Sequence, residues 1–167
     1  MKKILMITAV LIMLCPETYA ATWTAEDTPA VQAVMSNRNA KKLEGNMLKL
    51  ARPALKKTPM SAVMDNIEMM VMYSAGKKAD KEEENFVQQA TDVLKSYNKV
   101  SEIDDPDYHM AIYIDSPVKD SFSEIILYTS WPETSIMVFV GDFTIESLKK
   151  VGELSEQSRM ERRKARK

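Results

Sequence analysis

The chain has 167 residues, a formal net charge of −1 and a single cysteine. Near-neutrality excludes the basic field that general nucleic-acid binding needs, and one cysteine excludes an intrachain disulfide or a cysteine-built metal site. This length supports one hydrophobic core, so a single domain is expected.

Residues 1–20 have the layout of an export signal. Lys2 and Lys3 precede the apolar run Ile4 to Cys15, and Pro16-Glu17-Thr18-Tyr19 leads to Ala20-Ala21. Cleavage is expected after Ala20, with Thr18 as the small residue three back from the cut. The apolar run is shorter than the roughly twenty residues of a spanning helix. Lipidation of Cys15 is disfavoured by the bulky Leu14 before it. The mature protein is therefore expected in the periplasm or otherwise exported. Cleavage removes the cysteine and leaves the remainder one unit more negative, through loss of Lys2, Lys3 and Glu17. Such a domain must be held by its core alone.

Residues 21–42 form a polar N-terminal segment with one short helix, capped by Thr28 with Pro29 in its first turn. Val31, Val34 and Met35 would share its inner face, and Asn37-Arg38-Asn39 would break it. The main domain is expected over residues 43–158. It opens with a helix from Leu43 to Leu55, whose stripe Leu43, Met47, Leu50, Ala51 and Ala54 would face the core. Pro53 should kink or end that helix. Thr58-Pro59 begins a short helical piece, and Ile67 to Ser74 reads as the first strand. A long helix follows over residues 80–100, with Asp80 and Glu83 spaced as a capping box. It would bury Phe86, Ala90, Val93, Leu94 and Tyr97.

After the acidic turn Asp104-Asp105-Pro106-Asp107 comes the strongest β signal in the chain. Residues 108–115, 122–131 and 135–143 are rich in β-branched and aromatic residues and are separated by proline-containing turns. They predict a three-strand meander. Thr144 would cap a last helix from Ile145 to about Ser158. Residues 159–167 are a basic tail, expected to extend that helix and fray. The fold class is therefore α+β: a four-stranded, mainly antiparallel sheet with a C-terminal three-strand meander, packed against helices.

The available chemistry is sparse. His109 is the only histidine. A nucleophile reading would pair it with Asp115 and with Ser121 or Ser123, but Asp115 is six residues along the same strand and no G-x-S-x-G turn presents a serine. Asp104, Asp105 and Asp107 lack the glycine and distant glutamate of a calcium loop. The four glycines, Gly45, Gly76, Gly141 and Gly152, form no phosphate-binding loop. No catalytic, metal or cofactor site is expected.

Strand alternation divides the apolar residues into two sets. Ile67, Met69, Val71, Met110, Ile112, Ile114, Ile125, Leu127, Ile136 and Val138 are assigned to the helix-covered core. Met70, Met72, Tyr113, Ile126, Tyr128, Met137 and Phe139 are assigned to the second face, diluted by Glu68, His109, Asp115 and Glu124. A wet face carries fewer large apolar groups, so this second set is either partly covered within the chain or is a candidate interaction face.

A signal peptide, the early helix LEGNMLKLARPAL, the helix over 80–100 and the ending EIILYTSWPETSIMVFVGDFTIESLKKV together resemble the domain of unknown function 4252 family of small exported proteins from Bacteroidetes-type bacteria. The distinctive part is Glu124 to Leu148, with Gly141-Asp142-Phe143 before the last helix. The resemblance implies an exported envelope protein and supplies no catalytic residues. The expected function is a non-enzymatic protein-interaction module with an envelope protein partner. The alternative is a periplasmic binder of small apolar ligands such as lipids, which requires a closed pocket of about 300 Å³ or more. The basic tail is expected either to solubilise the chain or to make a weak contact with anionic membranes.

Overall fold

The computed structural model describes residues 28–56, 58–75, 81–105, 108–131 and 133–165. The expected signal peptide, the Asp80 cap and the Pro106-Asp107 turn lie outside the described residues.

The first described element is α1, Pro29–Met35. The Thr28 hydroxyl accepts from the Val31 amide and Pro29 occupies the first turn, as the sequence predicts. Ala30, Val31 and Val34 are buried, whereas Met35 points outward. Strand β1, Lys41–Glu44, follows, then α2, Gly45–Leu55. Gly45 has φ +52°, a left-handed conformation that glycine adopts without a Cβ penalty, and it turns the strand directly into the helix. Two 3₁₀ turns, Pro59–Ala62 and Met64–Asn66, lead to β2, Ile67–Ser74. Helix α3 spans Lys81–Leu94. Strands β3 (Asn98–Asp105), β4 (Tyr108–Ile114), β5 (Ser121–Trp131) and β6 (Ser135–Thr144) precede α4, Ile145–Ala165.

The class is α+β, and the sheet has six strands rather than four, in the order β1-β2-β6-β5-β4-β3 with every neighbouring pair antiparallel. The predicted meander is present as β4-β5-β6. The two additional strands are the sheet edges. Both are dominated by polar and charged residues (KKLE and NKVSEIDD), the usual means of blunting an edge against further pairing. The long helix is correspondingly shorter than expected. Beyond Leu94 the chain makes successive i to i−3 turns at Lys95, Ser96 and Tyr97, then enters β3. Helix α3 thus carries the chain from β2 to the far edge, and the strands it joins are not neighbours. The last helix runs past Ser158 through the basic tail as far as Ala165, the extension that the sequence predicts.

Helices cover both faces of the sheet. On one, α1 and α3 pack over Met69, Val71, Tyr73, Ile126, Ile136, Val138 and Val140. On the other, α2, the 3₁₀ turns and α4 pack over Ile67, Met70, Ile112, Ile114, Phe122, Ile125, Phe139 and Phe143. Register shifts between Ile67 and Met69, and between Phe122 and Glu124, bring Ile67 and Phe122 onto this second side. Gly141 lies where the second 3₁₀ turn crosses β6. A Cβ there would sit 1.9 Å from the Asn66 carbonyl oxygen, and the Asn66 side chain donates to the Asp142 carbonyl at 2.8 Å.

Candidate functional site

The seven residues assigned to one interaction face do not share a face. Ile125 pairs with Phe139, Ile126 with Val138 and Leu127 with Met137. The even-numbered residues of β5 therefore lie with Val138, not with Met137 and Phe139. Tyr113, Ile126 and Tyr128 belong to the α1/α3 side, and Met70, Met72, Met137 and Phe139 to the α2/α4 side. Met70, Ile126 and Phe139 are buried outright. The companion set assigned to the core is mixed in the same way. A one-residue error in register moves every side chain of a strand to the other face, and strand composition alone does not set register. What remains partly open on the α2/α4 side is a cross-strand row, Met72 beside Met137 beside Leu127, with Met110 on β4.

His109 does not meet Asp115, Ser121 or Ser123. Its Nδ1 is 2.6 Å from Ser130 Oγ and its Nε2 is 3.3 Å from Glu102 Oε1. Glu102 is also bridged by Lys99 at 2.7 Å, and that hydrogen bond holds the Glu102 carboxyl below the usual carboxylate range. The result is a polar ladder across β3, β4 and β5. The imidazole and the carboxylate are both reached by solvent, unlike the desolvated setting that activates a nucleophile. Asp115 has a different task. It accepts from the Ser123 amide and hydroxyl and from the Glu124 amide, holding the irregular start of β5.

Glu124, which the sequence suggests only as a polar residue diluting the second face, has a structural role there. It is fully buried beneath α1. The Tyr97 hydroxyl donates to its Oε2 at 2.7 Å, and the Ala30 amide donates to the same tyrosine oxygen at 3.2 Å. Oε1 has no hydrogen-bond partner among the described residues. Burial pushes the Glu124 carboxyl up; the Thr28 and Tyr97 hydroxyls pull it back, and the Asp115 charge raises it further. Burial and the Glu124 contact also push the Tyr97 phenol up. The available signal was an acid directly before Ile125-Ile126-Leu127, where an unpaired charge is costly. This network pins α1 and the end of α3 to the sheet.

A cavity of about 520 Å³ lies between the loop after α1 and the first half of α3. Asn37, Arg38, Asn39, Glu82, Asn85 and Gln89 make its wall polar, with Phe86 as its apolar contribution.

Helix α2 presents the largest departure from the expected burial. Leu48 is its buried residue, with Ala51, Arg52 and Leu55 half-buried beside it. Met47, Leu50 and Ala54, which the sequence reading placed against the core, face outward; Met47 is 58% and Leu50 76% exposed. At 3.6 residues per turn the apolar positions of α2 occupy an arc of roughly 160°. The chain's own core covers about half of it.

Residues 35–151 match the family model described as Domain of unknown function (DUF4252). The chain belongs to the DUF4252 family. The match begins at the last residue of α1 and ends at Val151, the buried anchor of α4, so it takes in all six strands, α2 and α3. The outward stripe of α2 is therefore part of the DUF4252 unit, whereas Thr28 and most of α1 precede it. No curated protein and no solved structure matches this DUF4252 chain. Among its described residues no helix is long and apolar enough to cross a membrane, and no group of three or more His, Cys, Asp or Glu side chains is placed to hold a metal ion.

Proposed function

We propose that this DUF4252 protein is a non-enzymatic protein-interaction module of the cell envelope, exported by the signal at residues 1–20. The observation that supports the reading is the outward stripe Met47, Leu50 and Ala54 on a helix whose opposite stripe is already used by the core. Large apolar side chains exposed side by side cost water contact without contributing to the fold, and such patches characteristically mark interfaces. The partly open row Met72, Met137 and Leu127 adds adaptable methionine surface on the same side of the sheet.

Site-specific photo-crosslinking in intact cells tests the proposal. A photoreactive residue at position 47 or 50 is expected to give one discrete adduct with an envelope protein. The same residue at exposed Gln88 on α3 should not. Equal labelling from all three positions would remove the basis for a defined interface. Robust turnover of any substrate that is abolished by His109→Ala would replace the reading with an enzymatic one.

A further inference from the structure

We propose that the cavity between the loop after α1 and the first half of α3 binds a neutral saccharide. The site is separate from the α2 surface, which lies on the other side of the sheet.

One wall of the cavity is a face of α3. Glu82, Asn85, Phe86 and Gln89 fall within about 100° of one another at 3.6 residues per turn, and all four line the cavity. Phe86 anchors this wall: it is buried, and its ring meets the Tyr73 ring edge to face at a centroid distance of 4.6 Å. The opposite wall is the loop 36–39, which holds its own shape. The Ser36 hydroxyl donates to the Ala33 carbonyl at 2.7 Å, the Asn39 amide donates to Asn37 Oδ1 at 2.8 Å, and the Ala40 amide donates to the Asn37 carbonyl at 3.0 Å. Both walls are set before a ligand arrives, which lowers the ordering cost of binding.

The polar groups on these walls are unspent. Asn37, Asn39, Asn85 and Gln89 place four carboxamides around a volume of about 520 Å³. The side chains of Asn39, Asn85 and Gln89 make no hydrogen bond among the described residues. The neighbouring row of α3 behaves differently: Gln88 donates to Asp92 at 3.2 Å, and Asp92 also accepts from Lys95.

The lining selects the ligand class. Arg38 is outnumbered by Glu82 and Glu83, so the cavity has no positive field to hold an anion. An apolar ligand would find Phe86 alone and would strip water from the carboxamides without replacing it. Each carboxamide offers an acceptor and two donors, and each sugar hydroxyl is itself both donor and acceptor. A ring with hydroxyls on most of its carbons therefore meets several of these groups at once. A peptide main chain carries one donor and one acceptor per residue, a sparser match. The volume lies within the range of about 300–1,000 Å³ for small-molecule sites and admits a disaccharide.

Chemical-shift titration by NMR of the full mature protein tests the assignment. Cellobiose, maltose and N,N′-diacetylchitobiose are the neutral probes, digalacturonate is the anionic probe and trialanine the peptide. At least one neutral disaccharide is expected to give saturable shifts confined to residues 36–39 and 82–89. The double variant Asn85→Ala, Gln89→Ala should weaken that binding by about tenfold or more, through loss of two sets of hydrogen bonds. Both positions are exposed and alanine favours a helix, so the unfolding midpoint should not fall. Longer oligomers of the sugar that binds separate its two sources. Tighter binding of the oligomer identifies a unit of a glycan chain, equal or weaker binding a free sugar, and either result upholds the site. Shifts from none of the neutral probes, equal affinity for digalacturonate or trialanine, or undiminished binding by the double variant would each overturn the proposal. The crosslinked adduct from position 47 should be unchanged in the double variant, so the saccharide site and the interaction module stand or fall separately.

Discussion

The two helix layers solve the same packing problem to different degrees of completion. On the α1/α3 side, Val31, Val34, Phe86, Ala90 and Leu94 are buried, and the outward positions of α3 are charged or amide residues. A hydrogen-bonded chain, Ala30 to Tyr97 to Glu124, fixes the layer from within. On the α2/α4 side the core is equally well filled beneath Leu48, Met60, Val63 and Val151, yet α2 keeps Met47 and Leu50 in water. Folding therefore explains every large apolar residue of α3 and only half of those on α2. The surplus is what calls for a function.

The largest expected effect breaks the α2/α4 layer at its closest approach. Gly141→Ala would drive a Cβ into the Asn66 backbone, which cannot yield as a flexible side chain could. A loss of about 4 kcal/mol in denaturant unfolding is expected, at the upper end for a single substitution. The comparison within α2 is next. Leu48→Ala should cost about 3 kcal/mol as a cavity-forming core change, whereas Leu50→Ala, two residues away, should stay within about 0.5 kcal/mol of wild type. Similar losses for the two leucines would mean that the outer stripe is part of the fold after all.

The sequence carried the second layer's helix but not its orientation. Positions 47, 50 and 54 and positions 48, 51 and 55 both recur at helical spacing, because the apolar arc is wide enough to hold two stripes. Which one turns inward is set by the β1–β2 register and by the left-handed turn at Gly45, neither of which periodicity reports. The meander was legible because Ile112, Ile125, Val138 and their neighbours form dense β-branched runs. The edge strands were not, since Lys41–Glu44 and Asn98–Asp105 carry the charges that protect an edge and so resemble turns. The proposed site suffered most. Its seven residues were individually apolar and correctly placed on strands, but their common face depended on a register that the sequence does not display.

Smaller effects sharpen the picture of the α1/α3 layer. Tyr97→Phe removes the hydroxyl that serves both Glu124 and the Ala30 amide. It should cost about 2 kcal/mol, the range for a buried hydrogen bond to a charged group, and amide exchange should show α1 loosening first. The Glu124 carboxyl is raised in the folded state, so the native protein holds the proton more tightly than the unfolded chain. Its contribution to stability is then greatest below the ordinary carboxylate range and declines as pH rises through the folded-state value. Glu124→Gln should therefore gain on wild type over the interval in which pH rises from the ordinary carboxylate range through that folded-state value. A difference that stays constant over that interval, or one that favours wild type at the higher pH, would show that Glu124 is not held as described.

The central claim is that the outer stripe of α2 serves docking and not folding. It is tested most directly by the yield of the crosslinked adduct from position 47 in cells, compared between the parent protein and Leu50→Asp at matched levels of folded protein. The account predicts that the adduct disappears in Leu50→Asp while the amount of folded protein is unchanged. An adduct of equal yield in the two backgrounds would contradict it.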